Sequence, residues 1–259
     1  MISEQSAARI RNMETRFHKP VRLVLFTSDT GCASCPGMLE LARAIKGRSG
    51  KIALETYDLV MDRDKTEQYG VTAAPALVVQ DDQGRAVAFY GMIEGVLLDV
   101  LLAAIASVAD AVVWFPEKIR NTLAHLANGV SVRVFVENDC AQCRPVSETA
   151  AGLALQSPLI NSSIIVVGDF PELVRKYGIT SLPVTLFGEN LRLDGHVTES
   201  EFLEMLFQAE GVKPSPDRKC LVCGTPSPDL ICTNCRTKIQ AEAVQHKLAG
   251  EKLRRPDSQ

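Results

Sequence analysis

All eight cysteines of this chain fall into C-x-x-C pairs: Cys32/Cys35, Cys140/Cys143, Cys220/Cys223 and Cys232/Cys235. Two thiols three residues apart can open and close a disulfide, ligate a metal, or pack as small apolar groups. The first two uses need different settings. Exchange needs a thiolate, and an ordinary cysteine carries little of it at neutral pH, so a neighbouring group must stabilise the anion. Metal binding instead needs four donors converging on one point. Pairing of every cysteine argues against a scaffold of structural disulfides if the compartment is reducing.

The elements around the first two pairs suit exchange. VRLVLF (21–26) and SVRVFV (131–136) are short, nearly continuous apolar runs, as expected of central strands covered on both faces. An amphipathic stretch follows each pair, with Leu39, Leu41, Ala42 and Ile45 on the apolar side of the first. Pro36 and Pro145 fall in the first helical turns, where a missing N–H costs least. A helix N-terminus offers unpaired N–H groups and the positive end of the dipole to a thiolate. Cys32 and Cys140 are therefore expected as exposed attacking thiols at or near the N-cap. Cys35 and Cys143, about one turn inside, are placed to resolve a mixed disulfide. A zinc or [2Fe–2S] site shared between units and inert thiols are the competing readings, and the strand-to-helix setting favours exchange.

A repeat organises the chain. Cys32 and Cys140 are 108 residues apart, and so are Pro75 and Pro183; QYGVTAAPALVV (68–79) matches KYGITSLPVTLF (176–187). Two homologous units follow, each reading as βαβαββα after a leading helix. This predicts an α/β fold with helices on both faces of a mixed sheet. The expected divisions are a first unit at 1–111, a second at 112–212, and 213–259 as linker, four-cysteine module and C-terminal helix, with Trp114 and Phe115 at the junction. Pro75 and Pro183 each lie 43 residues after the first cysteine of their unit and five after a glycine, and each precedes an apolar strand. That makes both X-Pro bonds candidates for cis. If they pack against the disulfides, Ala74 and Leu182 can offer backbone groups to an extended substrate segment.

A strand, a C-x-x-C at a helix start and a loop proline at this distance resemble the thioredoxin fold. Two such units in tandem resemble the protein disulfide oxidoreductase family of fused thioredoxin/glutaredoxin-like domains. The segment FPEKIRNTLAHLANGVSVRVFVENDCAQCRP (115–145) is similar to that family's second unit and to the tandem domain at the N-terminus of the alkyl hydroperoxide reductase flavoprotein. The resemblance spans roughly residues 5–210. It implies thiol–disulfide exchange on protein disulfides, with Cys32 and Cys140 as nucleophiles, Cys35 and Cys143 as resolving thiols, and Cys140 as the more active nucleophile. It also implies recharging by a thioredoxin-reductase-like flavoprotein and no organic cofactor. Two departures stand out. The spacers are Ala-Ser and Ala-Gln, and the buried acid that thioredoxins carry six residues before the first cysteine is Phe26 or Val134 here. Beside Cys140, Asp139 would raise the thiol pKa and Arg144 would lower it.

CLVCGTPSPDLICTNC (220–235) has the spacing C-x2-C-x8-C-x2-C, four soft ligands in two knuckles with Gly224 after the first. A module this small cannot fold on apolar burial alone, so a structural zinc held by Cys220, Cys223, Cys232 and Cys235 is expected to supply the missing stability. Two further disulfides or redox pairs are the alternative.

Composition bounds the rest. In 259 residues, 28 basic side chains against 31 acidic give a formal charge of −3, which offers no electrostatic footprint for nucleic acid or an anionic membrane. Charges at Glu4, Arg9, Arg11 and Glu14 interrupt what would be the apolar core of a signal peptide, and Asp99 and Asp110 break the longest apolar stretch. A cytoplasmic oxidoreductase is the expectation, with a non-enzymatic redox-sensing or partner-binding adaptor, or an iron–sulfur or other metal-binding protein, as the alternative.

Overall fold

The computed structural model of the protein describes residues 2–13, 17–110 and 115–254, with side chains through 245. The first unit comprises α1 (Glu4–Arg11), β1 (Val21–Thr27), α2 (Cys35–Lys46), β2 (Ile52–Asp58), α3 (Arg63–Tyr69), β3 (Ala76–Gln80), β4 (Ala86–Tyr90) and α4 (Gly95–Asp110). The second comprises α5 (Glu117–Leu123), β5 (Val130–Val136), α6 (Cys143–Ala154), β6 (Ile160–Val166), a short 3-10 turn Val167–Asp169, α7 (Pro171–Tyr177), β7 (Val184–Phe187), β8 (Leu191–Asp194) and α8 (Glu199–Ala209). The four-cysteine segment then leads into α9 (Thr233–Arg254). The expected junction near 112 and the Trp114 anchor lie outside the described residues, whereas Phe115 is buried in the core.

Within each unit the first strand runs parallel to the second and antiparallel to the third, and the last two form a hairpin. The units do not stand apart. β4 pairs in parallel with β6, from Val87 opposite Ser162 to Tyr90 opposite Ile165, so the strands form one eight-stranded sheet in the order β2-β1-β3-β4-β6-β5-β7-β8. Composition explains which hairpin strand is covered. AVAFY has four buried residues of five, and left at an edge it would expose a flat apolar strand. Its counterpart, LRLD, alternates half-buried with exposed positions and carries an Arg192–Asp194 ion pair, so it serves as the outer edge.

Successive β1 residues face opposite layers. Leu23 and Leu25 point into the large core with α1, α2, α4, α6 and α8, while Val24 and Phe26 point into a smaller one with the side chains of α3 and α7. α4 is buried around most of its circumference because both units lie against it, which accounts for the long apolar stretch in the sequence. No described helix is long and apolar enough to cross a membrane. On α2 the buried face is Met38, Leu41, Ala42 and Ile45, with Leu39 only half-buried, a shift of one residue from the expected stripe.

The second unit's β7 is held to α8 by Phe187 and Phe202, fully buried and edge-to-face with centroids 4.7 Å apart. Phe187→Ala should lower unfolding free energy by about 3–5 kcal/mol, read as a lowered denaturant midpoint at unchanged slope. A loss below about 1 kcal/mol would contradict this packing.

Candidate functional site

Both first pairs sit where a parallel strand ends and a helix begins. The sulfurs of Cys32 and Cys35 are bonded, with Cα atoms 5.4 Å apart, and so are those of Cys140 and Cys143, with Cα atoms 5.2 Å apart. Cys35 and Cys143 are the first residues of α2 and α6, with Ser34 and Gln142 at the caps. The outer cysteines therefore lie near the cap, in the turn that feeds the helix, and the inner ones stand at its first position rather than about one turn inside. The turn is closed by Cys35 N–H donating to Cys32 C=O at 3.4 Å and Cys143 N–H to Cys140 C=O at 3.0 Å. Burial splits each pair in the expected sense: Cys32 and Cys140 are partly exposed, whereas Cys35 and Cys143 are buried. Cys35 Sγ also accepts the Ser28 N–H at 3.4 Å. Phe26 and Val134, at the position of the missing acid, are fully buried.

The proline loops reach the same end of the sheet. Phe26 pairs with Ala76 and Phe135 with Val184, so Pro75 and Pro183 lie beside the ends of β1 and β5, from which the cysteine turns emerge. Both the Ala74–Pro75 and Leu182–Pro183 bonds are cis. Each proline's carbonyl accepts a bond from the far end of its own hairpin, Gly91 N–H at 3.0 Å and Gly195 N–H at 2.8 Å. Strand pairing begins at Ala76 and Val184, so Ala74 and Leu182 lie outside the ladder. Gly70 and Gly178 end α3 and α7 in the left-handed conformation that turns the chain towards these loops.

The cation beside the second pair is itself paired. Arg144 lies 2.9 Å from Glu148 and 3.7 Å from Asp99 of α4, so its guanidinium is engaged by carboxylates of both units. Sequence reasoning missed a strap, residues 91–96, that crosses between the two cysteine turns. Asn138, two residues before Cys140, accepts Glu94 N–H at 2.8 Å, donates to Met92 C=O at 2.9 Å, and through its own carbonyl accepts Val96 N–H at 3.1 Å. Asp169 accepts Met92 N–H at 2.7 Å and the Ser34 hydroxyl. Gly95 has φ +51°, and a Cβ there would lie 2.5 Å from the Asn138 carbonyl oxygen. Gly95→Ala should thus cost about 1–3 kcal/mol of stability, measured by chemical denaturation; a neutral result would mean the strap is not held as described.

The last four cysteines gather at one point, their sulfurs all within 4.8 Å of one another. Cys223 and Cys232 Sγ are 3.8 Å apart. That is the edge of a tetrahedron of sulfurs about 2.3 Å from a central zinc, about 3.8 Å. Gly224, at φ +72°, turns the first knuckle, and Cys232 N–H donates to Cys220 Sγ at 3.3 Å. The Thr225 hydroxyl, reinforced by its backbone, holds the Cys223 thiol down at about 6, whereas burial pushes the Cys235 thiol up. The cluster can hold a metal. The module is not a free appendage: Leu230, Ile231 and Ile239 join the main core, and Arg236 pairs with Glu204 of α8 at 2.7 Å. α9 begins at Thr233 and carries Cys235 in its first turn.

Comparison with known proteins agrees with this geometry. A family model described as the thioredoxin domain matches residues 130–208, from the start of β5 to the last turn of α8. A probable thioredoxin of Methanothermobacter thermautotrophicus is 38% identical over 60 residues, 23% of this chain and 69% of that protein, and one of Methanothermobacter marburgensis matches to the same extent. Among solved structures, a protein disulfide oxidoreductase from Aeropyrum pernix superposes with a TM-score of 0.72 at 23% identity, covering 81% of this chain and 94% of that one. The alkylhydroperoxide reductase AhpF of Enterococcus faecalis gives 0.71 at 22%, covering 79% and 99%. These two likenesses extend the shared fold over both units. With the cysteine turn, the cis-proline loop and the strand order all in place, the chain belongs to the thioredoxin family.

Proposed function

We propose that the protein is a thiol–disulfide oxidoreductase acting on protein disulfides through both C-x-x-C turns. The observation that carries this reading is the matched asymmetry of the two pairs: an accessible outer sulfur and a buried inner one, each at the start of a helix. In the reducing direction the outer thiolate, Cys32 or Cys140, attacks one sulfur of a substrate disulfide. A mixed disulfide forms and one substrate thiolate leaves. The inner cysteine then loses its proton and attacks the outer sulfur, forming the intrapair disulfide and releasing the second substrate thiolate. Two electrons pass from the protein pair to the substrate, and the reverse sequence oxidises a substrate dithiol. The helix N-terminus favours the thiolate at each stage. Ala74 and Leu182, outside the strand ladder, supply backbone groups against which an extended substrate segment aligns.

Zinc fits the four-sulfur cluster: Cys220, Cys223, Cys232 and Cys235 would hold it, and with every position taken by thiolate it supplies stability rather than chemistry. The cytoplasm suits this combination of cycling pairs and a reduced cluster, with a thioredoxin-reductase-like flavoprotein as electron donor. To test the activity, the reduced protein, freed of reductant, is mixed with excess oxidised insulin. It should deliver two electrons per pair and finish with both intrapair disulfides closed. Folded protein that leaves the insulin disulfides intact would refute the reading.

A further inference from the structure

The two cysteine turns are not equivalent, because the first is touched by an acid from the second unit. Ser34 occupies the N-cap position of α2, where a serine ordinarily accepts a bond from its own helix. It makes no such bond, and its hydroxyl instead donates to Asp169, 135 residues away in the chain. The other Asp169 oxygen accepts Met92 N–H at 2.7 Å, so the carboxylate is held against the turn from two directions. Among the described residues no basic side chain forms an ion pair with Asp169. The arrangement is one-sided. The 108-residue repeat places Met61, 82% exposed, at the position of Asp169 in the first unit, and Gln142, exposed, at the position of Ser34 in the second.

We propose that Asp169 is a positioning residue for the Cys32/Cys35 pair, and that through Ser34 it holds a negative charge against the first turn which biases that pair towards its disulfide. The inference rests on the exchange activity proposed above. Opening the disulfide takes up two electrons, and the outer sulfur carries negative charge to the extent that it is a thiolate. A carboxylate beside the turn disfavours that state and leaves the neutral disulfide untouched. The second pair has the exposed Asp139 beside Cys140 and Arg144 close by, engaged by Asp99 and Glu148, and no counterpart of the Ser34–Asp169 bond.

Asp169→Asn keeps the side-chain shape: its amide oxygen can accept Met92 N–H and its NH2 can donate to Ser34, while the charge is gone. The test is the thiol/disulfide equilibrium of each pair in the full chain, read by differential alkylation and mass spectrometry in glutathione buffers. In Asp169→Asn the first pair should shift towards the dithiol by about three- to tenfold, tenfold being about 30 mV for two electrons, and the second pair should stay within about twofold. Ser34→Ala, which frees the carboxylate from the turn, should move the first pair in the same direction. Unfolding midpoints of both variants keep stability apart from potential, since a mere structural latch would change the former without moving the latter. No shift of the first pair in either variant, a shift of opposite sign, or equal shifts of both pairs would overturn the inference while leaving the exchange activity standing. Failure of the unmodified first pair to equilibrate with glutathione at all would overturn both.

Discussion

With Cys35 and Cys143 both changed to serine, the protein should turn from a catalyst into a trap. The outer thiolates can still attack a substrate disulfide, but nothing remains to resolve the product, so covalent adducts accumulate and disappear on addition of dithiothreitol. Turnover should fall to the uncatalysed background. Changing Cys32 and Cys140 instead should abolish both turnover and adducts, because the thiol left in each turn, Cys35 or Cys143, is buried. This inequality between inner and outer variants is the direct consequence of the exposure pattern in both turns. Equal adduct formation by the two double variants would mean that burial does not assign the roles. Assayed singly, Cys140→Ser should lose more activity than Cys32→Ser, as the resemblance of the second unit implies.

The second large effect concerns the metal. The purified protein should contain about one zinc per chain, bound with a free energy on the order of 10 kcal/mol or more. Removing it with a strong chelator, or by Cys220→Ser, should release the module from α8. Amides of 218–240 should then exchange rapidly while those of β1 and β5 stay protected, since the module supplies only a few residues of the main core and none of the smaller one. Affinity should also fall as the pH is lowered. The ligands bind as thiolates, so zinc competes with protons at every sulfur. Cys223, held at about 6 in the metal-free cluster, already offers its anion at neutral pH, whereas Cys235, pushed up by burial, must give up a proton on binding. Zinc affinity independent of pH between about 6 and 8, or full protection of the module without metal, would contradict a structural zinc site.

Much of this was legible in the residues. The 108-residue offset located both cysteine turns, both proline loops and, element for element, the strands of the two units, because local period and spacing decide them. The joining of the units into one sheet was not read from the sequence, although a signal was present. AVAFY is apolar on both faces, while LRLD carries charge at alternate positions, and a difference at corresponding places in a repeat marks which strand is covered. The docking of the four-cysteine module was hidden for another reason: Leu230, Ile231 and Ile239 look like the apolar content of a small independent unit, and only tertiary contact shows that they extend a larger core. Asp169 had no local signature at all. Its partner Ser34 lies 135 residues away, and no spacing rule connects them.

The central claim is that the first two pairs exchange electrons while the last four cysteines do not. Differential alkylation of the metal-loaded protein across a series of thiol/disulfide buffers, resolved by mass spectrometry for each pair, tests it most directly. Cys32/Cys35 and Cys140/Cys143 should switch reversibly between dithiol and disulfide at potentials of roughly −180 to −270 mV, while Cys220, Cys223, Cys232 and Cys235 stay reduced and protected. Two leading pairs that never close an intrapair disulfide, or that are shielded from alkylation like the last four, would contradict the account and identify a metal-binding or adaptor protein instead.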